Sequence, residues 1–149
     1  RMDRADYLRR AERSARIIAT ADQDAGQRAL AILQQAAAAS PALRHRPIHG
    51  DMKLDHAFLD GEAVTLIDTE SVKLGDPDHD LALLEARLAL HQMQGSLTSA
   101  QVATIRSVIR HAAGPQYEWF YHLARLHAAK FLAQREGPLR AEQLRQMLA

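Results

Sequence analysis

The chain of 149 residues contains no cysteine, no long apolar run and no signal-peptide pattern at its beginning. Without cysteine it can form neither a disulfide bond nor a thiolate metal site. A bilayer-spanning helix needs about 20 consecutive apolar residues, and the sequence has no such run. These absences predict a cytoplasmic protein that does not enter a membrane.

The length and composition favour a single domain. A chain of 149 residues, of which 47% are hydrophobic, can bury a core of its own. The sequence begins at Arg1 rather than at a methionine, so we interpret the chain as a piece of a longer protein.

Charged residues are unevenly distributed, although the formal net charge is only +1. Residues 51–80 hold nine acids against two lysines, and such an acidic centre suits metal ions or cationic substrates. The first fifty residues hold nine arginines against five acids. These arginines could contact nucleic acid, which salt-dependent binding would reveal. They lack interleaved aromatics, so we interpret them as a solvated helix face and expect no nucleic-acid partner.

Apolar residues recur at helical spacing through most of the chain. This pattern predicts helices over residues 3–20, 26–39, 78–94, 99–113, 116–135 and 139–148. Asp22 to Gly26 is expected to separate the first two helices, Thr98 or Ser99 to cap the fourth, and Gly137-Pro138 to end the fifth. Two short apolar runs, 57–59 and 63–67, flank Asp60-Gly61 and predict a buried β-hairpin. The expected fold is therefore mainly α with one β-hairpin.

Two acid-bearing loops flank this hairpin. The first reads His49-Gly50-Asp51-Met52-Lys53-Leu54-Asp55-His56, and the second reads Leu66-Ile67-Asp68-Thr69-Glu70. Kinase-type phosphoryl transfer uses such a layout, in which one Asp meets the substrate hydroxyl and a second, after a strand, binds magnesium. A third motif, Gly75-Asp76-Pro77-Asp78-His79-Asp80-Leu81-Ala82, follows at the start of a predicted helix.

These motifs resemble the aminoglycoside phosphotransferase family. Its pattern reads roughly H-G-D-x-x-x-x-N, a hairpin, I-D and then G-D-P-x-x-D-L-A, and protein kinases carry the related H-R-D-x-x-x-x-N. The match covers residues 47–84, about a quarter of the chain. The resemblance implies that residues 1–149 form the C-terminal lobe of a protein-kinase-like fold. The N-terminal nucleotide lobe is expected outside this chain, because no glycine-rich loop or strand lysine precedes the first motif.

The resemblance implies roles for the first loop and the second. Asp51 would be the catalytic base, and His49 would pack against the loop and bond its backbone. Gly50 would permit a backbone shape that a side chain blocks. Asp68 would bind magnesium, while Glu70 would support that site, contact the substrate or be simply exposed.

Lys53 and His56 leave alternatives open. Lys53 could reach the transferred phosphate, as lysine does in protein kinases, or form a salt bridge with Asp51 or Asp55. His56 stands where the family has asparagine, and imidazole favours softer metals than Mg²⁺, such as Mn²⁺. The metal could then depend mainly on Asp68, Asp55 or a water could replace the missing ligand, or the protein could be weakly active or inactive.

Two further groups are expected to support the site. The resemblance implies that Asp80 accepts hydrogen bonds from the backbone of the first loop and caps the following helix, with Asp76 as structural support. Of the aromatic residues that open the 116–135 helix, Trp119 and Tyr121 are candidates for substrate contacts. Core packing is the competing interpretation for both.

The resemblance implies phosphoryl transfer from ATP or GTP to a hydroxyl group of a small molecule. Its partners would be this acceptor, a nucleotide and Mg²⁺ or Mn²⁺. An aminoglycoside, choline-like or sugar acceptor is expected, because an acidic cleft favours cationic or polyhydroxylated compounds. The alternative is a non-catalytic kinase-like module for binding or regulation. The sequence predicts neither the exact acceptor nor the oligomeric state.

Overall fold

The computed structural model describes residues 1–137 and 139–149, and it is mainly helical. Within these residues the helices are α1 (Arg4–Ala21), α2 (Gln23–Ala38), α3 (Pro77–Met93), α4 (Ser99–Ala112), α5 (Tyr117–Ala133) and α6 (Arg140–Leu148). The strands are β1 (Arg46–Ile48), β2 (Ala57–Asp60), β3 (Ala63–Leu66) and β4 (Lys73–Gly75). No helix in the described ranges combines the length and the apolar character that a membrane crossing requires.

Side-chain N-caps fix where four of the helices in the described residues begin. The side chain of Asp3 accepts from the Asp6 amide at the start of α1, and Thr98 does the same for Gln101 at the start of α4. The expected five-residue break after α1 was wrong. Asp22 alone leaves the helical conformation, because its carboxylate caps the Ala25 amide and lets α2 begin at once.

The C-terminal half follows the predicted pattern closely. Gly95 adopts a φ of +73° directly after α3 and ends that helix. Helix α5 ends at Ala133, two residues before the expected limit. The prediction that Gly137-Pro138 stops this helix falls partly on Pro138, which lies outside the described residues.

The core lies where α1, α3 and α5 pack together, with α2 and α6 against α5. Tyr7 and Phe120 are almost fully buried, and their rings meet edge to face with centroids 4.8 Å apart. Leu88, Leu126 and Leu144 complete this centre. Each such buried side chain contributes about 1.5–3 kcal/mol by leaving water. The core holds α3 and α5 rigidly beside the first acid-bearing loop.

The predicted hairpin is present as β2 and β3, with Leu59 opposite Val64 and Ala57 opposite Leu66. The prediction that it is buried was wrong. Leu59, Val64 and Leu66 point to one face of the hairpin, and they are 77%, 60% and 41% exposed. Alternating apolar residues predicted burial, but the described part of the chain packs nothing over this face.

The structure also contains a second two-stranded sheet, which the sequence did not predict. Strand β1 pairs antiparallel with β4, so that Arg46 lies opposite Gly75 and Ile48 opposite Lys73. Each strand has only three residues, too few for an alternating pattern to emerge from the sequence. This second sheet matters for the site, because the two acid-bearing loops and the hairpin all lie between its strands in the chain.

Candidate functional site

The first loop is anchored to the start of α3. The backbone amides of His49 and Gly50 donate to the two carboxylate oxygens of Asp80, at 2.6 and 2.8 Å. Burial raises the pKa of Asp80, while these amide hydrogen bonds and the nearby Lys73 act against that rise. Asp80 thus fixes the loop, in the arrangement that the family resemblance implied.

The capping role expected for Asp80 was wrong. Asp76 is the N-cap of α3, and its side chain accepts from the Asp78 amide at 3.0 Å. Asp76 is fully buried and also accepts from the Arg44 backbone amide and guanidinium. The Gly-Asp-Pro motif places Pro77 at the first helical position, which leaves Asp80 one turn further on and free to reach the loop.

Gly50 occupies a position that only glycine tolerates. Its φ is +80°, and a Cβ atom added there would lie 2.3 Å from Cε of Lys73 and 2.8 Å from the carbonyl oxygen of Ser71. The absence of a side chain lets the loop pass close to β4. This places the next residue, Asp51, at the surface of α3.

Asp51 forms an ion pair with a buried arginine. Nη2 of Arg87, on α3, lies 2.6 Å from Oδ1 of Asp51. Nη1 of Arg87 donates to the backbone oxygen of Met52 at 3.1 Å. Partial burial raises the pKa of Asp51, but the charge and hydrogen bond of Arg87 outweigh it and hold that pKa below its usual value. Asp51 is therefore an ionised carboxylate in a fixed orientation.

A hydrogen bond joins the two acid-bearing loops. Nε2 of His49 lies 2.8 Å from the carbonyl oxygen of Ile67, the residue before Asp68. The rings of His49 and His56 are 5.3 Å apart between centroids. His49 is buried and contacts backbone, so the geometry gives it a positioning role between the loops.

The two loops bring three potential metal ligands together. Asp51, His56 and Asp68 each offer one ligand atom, and these atoms all lie within 4.8 Å of one another. Nε2 of His56 lies 3.0 Å from Oδ2 of Asp68. Asp68 has a φ of +58°, a left-handed conformation that is strained for a residue other than glycine. Backbone strain of this kind is concentrated at functional sites.

The donor set fits a divalent cation. Two carboxylates suit Mg²⁺ or Mn²⁺, and the imidazole of His56 favours Mn²⁺ over Mg²⁺. The sequence contains no asparagine, so no other residue in it can supply the asparagine of the family pattern. Asp55, one of the expected replacements, is exposed and does not belong to this group.

Lys53 and Glu70 lie at the edge of the site. The salt bridge expected between Lys53 and Asp51 or Asp55 is not among the ion pairs of the described residues. Lys53 is partly exposed and its charge helps to lower the pKa of Asp51. Glu70 lies in the short 3₁₀ turn Thr69–Ser71 and is exposed, which corresponds to the simplest of its predicted roles.

The two aromatic candidates lie elsewhere. Trp119 is 8% exposed and its indole N–H donates to the carbonyl oxygen of Ala36 at 3.0 Å, so it belongs to the core. Tyr121 stacks on Tyr117 with ring centroids 6.0 Å apart, on the side of α5 that faces the α4 arginines. The structure does not bring either residue to Asp51, and core packing was the correct interpretation of Trp119.

A cavity of about 340 Å³ opens beside the first loop. Gly50, His79 and His127 line it, together with residues of α1. Nε2 of His127 lies 3.4 Å from Nη2 of Arg87, the residue that holds Asp51. Burial and neighbouring cations lower the pKa of His127 to about 4, so its ring is neutral at pH 7. The cavity thus approaches Asp51 through the neighbouring Gly50 and through the contact of His127 with Arg87.

Sequence reasoning missed the residues that complete this site. Arg87 and His127 are 36 and 76 residues from Asp51 in the chain, and neither was among the predicted site residues. Arg10 and Arg13 of α1 are exposed, as predicted, but they also line the cavity. The only signal in the sequence was Arg87 itself, a charged residue among the apolar positions of α3.

Comparisons with known proteins agree with this geometry. No curated protein and no solved structure is significantly similar to the chain. The model of the phosphotransferase enzyme family matches residues 1–119, which is well over half of the chain and includes both acid-bearing loops and the Gly-Asp-Pro motif. The chain therefore belongs to the phosphotransferase enzyme family that includes the aminoglycoside phosphotransferases.

Proposed function

We propose that this chain is the C-terminal, catalytic lobe of an enzyme that transfers a phosphoryl group from ATP or GTP to a hydroxyl group of a small molecule. The observation that carries the proposal is the convergence of Asp51, His56 and Asp68 within 4.8 Å, with Asp51 oriented by a buried arginine. Membership of a phosphotransferase family supports the reaction class.

Asp51 acts as the general base in this proposal. It accepts the proton of the acceptor hydroxyl while that oxygen bonds to the γ-phosphorus and the bond to the nucleoside diphosphate breaks. A carboxylate with a lowered pKa is ionised at neutral pH and ready to accept this proton. Arg87 keeps the carboxylate in one orientation, which is the main contribution that positioning makes to such transfers.

Asp68 would hold the divalent cation, and His56 would orient Asp68 through the contact between Nε2 and Oδ2. When bound, the cation neutralises negative charge on the nucleotide phosphates. We propose Mg²⁺ held mainly by Asp68, with Mn²⁺ as the ion that the imidazole favours. Lys53, partly exposed after Asp51, is the cation that would reach the transferred phosphate.

A nucleotide-binding lobe outside this chain is part of the proposal. The exposed apolar face formed by Leu59, Val64 and Leu66 supports it, because a contiguous apolar surface of this kind favours a covering partner. The chain alone is accordingly expected not to bind ATP tightly. Micromolar binding of ATP to residues 1–149 in calorimetry would contradict the division into two lobes.

The test is phosphoryl transfer by the protein that carries both lobes. Transfer from ATP and from GTP is measured across a panel of hydroxyl compounds, with Mg²⁺ and with Mn²⁺. Asp51→Asn should lower turnover at least about a hundredfold, the usual effect of losing a positioned base. Asp60→Asn is the matched control, since Asp60 is exposed at the hairpin turn. Equal turnover in the two variants would contradict the assignment of Asp51.

A non-catalytic binding module is the second candidate function, and His56 in place of asparagine favours it. His56→Asn distinguishes the two. In an enzyme, the variant should raise activity with Mg²⁺ and lose any preference for Mn²⁺. The binding module would be favoured by the opposite result. In that case the folded protein with both lobes shows no transfer in any combination of metal, nucleotide and acceptor, with or without the substitution.

A further inference from the structure

The cavity beside Asp51 differs in charge from the acidic cleft that the sequence predicted. Arg10, Arg13 and Lys130 line it, and no aspartate or glutamate stands among its lining residues in the described part of the chain. Lys73 lies beside it, with its Nζ 2.9 Å from the point where a Gly50 side chain would begin. The acids of residues 51–80 therefore do not form the wall that an acceptor would meet.

Two of the arginines that line this cavity form no ion pair within the described part of the chain. Two other arginines of α1 are paired on the helix surface, Arg9 with Asp6 and Arg16 with Glu12. Within the described residues, by contrast, Arg10 and Arg13 form no ion pair, although they belong to the same helix. Helix α1 thus pairs Arg9 and Arg16 and, within the described residues, leaves Arg10 and Arg13 without an ion-pair partner, although Asp6 and Glu12 line a neighbouring cavity together with them.

The lysines at this wall respond to the same surplus of positive charge. Burial lowers the pKa of Lys130, and the charge of Arg87 lowers it further against the opposing effect of Asp51. Burial also lowers the pKa of Lys73, and Arg10 adds to this fall, while Asp80 and Asp51 oppose it. Mutual repulsion of this kind is relieved when an anion binds between the cations.

The position of the cavity separates it from the proposed cation site. Gly50 and His127 connect it to Asp51, whereas His56 and Asp68 are not among its lining residues. An acceptor in this cavity would approach Asp51 through Gly50 and His127, whereas the nucleotide's cation would be held by residues that do not line the cavity. The walls also include Leu83, Leu123 and Ala124, which suit the carbon skeleton of a small molecule.

We infer that the cavity binds an acceptor that carries an anionic group, a phosphate or a carboxylate, with Arg10, Arg13 and Lys130 contacting that group. This inference rests on the proposed function only in treating the bound molecule as the phosphoryl acceptor. Binding of its anionic group does not depend on turnover. It replaces the expectation of a cationic acceptor. The phosphates of the nucleotide share the same chemistry, so the test must separate the two sources.

The test uses four ligands built on one sugar ring or its open form: glucose 6-phosphate, gluconate, glucose and glucosamine. Their binding to the 149-residue chain is measured by calorimetry at low salt, where electrostatic contacts are least screened. Glucose 6-phosphate and gluconate should bind at least about tenfold more tightly than glucosamine, a difference of about 1.4 kcal/mol. Equal binding of all four ligands, or tighter binding of glucosamine, would overturn the inference.

Matched variants locate the binding. Arg13→Gln and Lys130→Gln should each weaken binding of glucose 6-phosphate about tenfold, as expected for the loss of one charged contact. Arg28→Gln is the control, because Arg28 is exposed on α2 and is not among the residues that line this cavity. All three side chains are at least partly exposed, so folding should persist in each variant. An equal loss in the Arg28 variant would show that the effect is one of net charge alone.

Competition with ATP in the protein with both lobes decides the source of the anion. If the cavity holds the acceptor, saturating ATP should leave the affinity for glucose 6-phosphate unchanged. Displacement of the sugar phosphate by ATP would overturn the inference and assign the cavity to the nucleotide. Anion binding at Arg13 without any phosphoryl transfer would refute the proposed function alone, whereas transfer to cationic acceptors only would refute the cavity assignment alone.

Discussion

Among the charged residues that helix α3 buries, Glu85 and Arg87 are two positions apart and point to different sides of the helix. Glu85 is fully buried and meets the α4 arginines Arg106 and Arg110, each at 3.0 Å, and the hydroxyl of Tyr117. Arg87 is 7% exposed and faces the first loop, where it pairs with Asp51. One helix therefore carries a structural ion cluster on one side and part of the candidate site on the other.

The difference lies in how completely each charge is satisfied. Both carboxylate oxygens of Glu85 are occupied by partners from α4 and α5, so the cluster is closed. The Asp51 carboxylate has only one oxygen paired with Arg87 and remains 35% exposed at its side chain. A buried charge with all its partners stabilises a fold, whereas a half-satisfied and accessible one is available for chemistry.

Removal of Glu85 should have the largest effect on stability. Glu85→Ala leaves the Tyr117 hydroxyl and two arginines without their partner, and loss of one member of a buried ion pair costs about 3–5 kcal/mol. We expect the lower end, about 3 kcal/mol, because both arginines are partly exposed and can reach water. Urea denaturation measures it. A loss below about 1 kcal/mol would show that the cluster is not a structural element.

Arg87→Gln should destabilise the chain less than Glu85→Ala. Asp51 can be solvated once the pair is broken, so we expect a loss of about 1–2 kcal/mol in the free energy of unfolding. The same denaturation experiment checks it. If Arg87→Gln proved the more damaging of the two, the proposed division of α3 into a structural side and a site side would be wrong.

Acid should weaken the fold through His79, which packs against Tyr7 with ring centroids 4.9 Å apart. Burial lowers the pKa of His79 to about 3, whereas the unfolded chain has the ordinary value of about 6.5. Between these values the unfolded state binds a proton that the folded state does not, so stability falls as pH falls. The expected loss between pH 7 and pH 5 is about 2 kcal/mol.

The matched variants for this pH dependence are His79→Phe and His111→Gln. The first removes one buried imidazole and should make the fall in stability below pH 6.5 about half as steep, because His127, whose pKa is also lowered, to about 4, remains. The second changes a histidine that is exposed on α4 and should leave the profile as it is in the unmodified chain. Identical pH profiles in the unmodified chain and the His79 variant would contradict the assignment.

The hairpin, which lies apart from both sides of α3, should show the smallest effect. Leu59 is 77% exposed, so Leu59→Ser should change the stability of the chain by less than about 0.5 kcal/mol. In the protein with both lobes, the same substitution should cost more than in the chain alone. Equal effects in the two proteins would indicate that no lobe covers this face.

The features that depend on local sequence were well predicted. The helical period located α1 and α5 to within about two residues, because their buried positions recur on one face. The turn residues Asp60 and Gly61 placed the hairpin, and the His-Gly-Asp and Ile-Asp pairs located both acid-bearing loops. Each of these signals is contained within a few neighbouring residues.

The features that depend on packing were missed. Strand β1 pairs with β4 across 25 residues or more, and Arg87 reaches Asp51 only after α3 has packed against the first loop. Burial of the hairpin was wrongly inferred from its apolar pattern. Such a pattern shows that one face of the hairpin is suited to burial, but it does not show that the same chain supplies the covering residues. The charge of the cavity depends on which arginines of α1 line it, and a count of acids along the chain cannot reveal this.

The central claim is that Asp51 performs the chemistry and that Arg87 acts through it. A double-mutant cycle on turnover tests this, with Asp51→Asn, Arg87→Gln and both together in the protein with both lobes. The account predicts a loss of at least about a hundredfold for the first variant, a smaller loss for the second, and no further loss when both are combined. A loss in the double variant equal to the product of the two single losses would contradict this claim. Near-normal turnover in Asp51→Asn would contradict it as well.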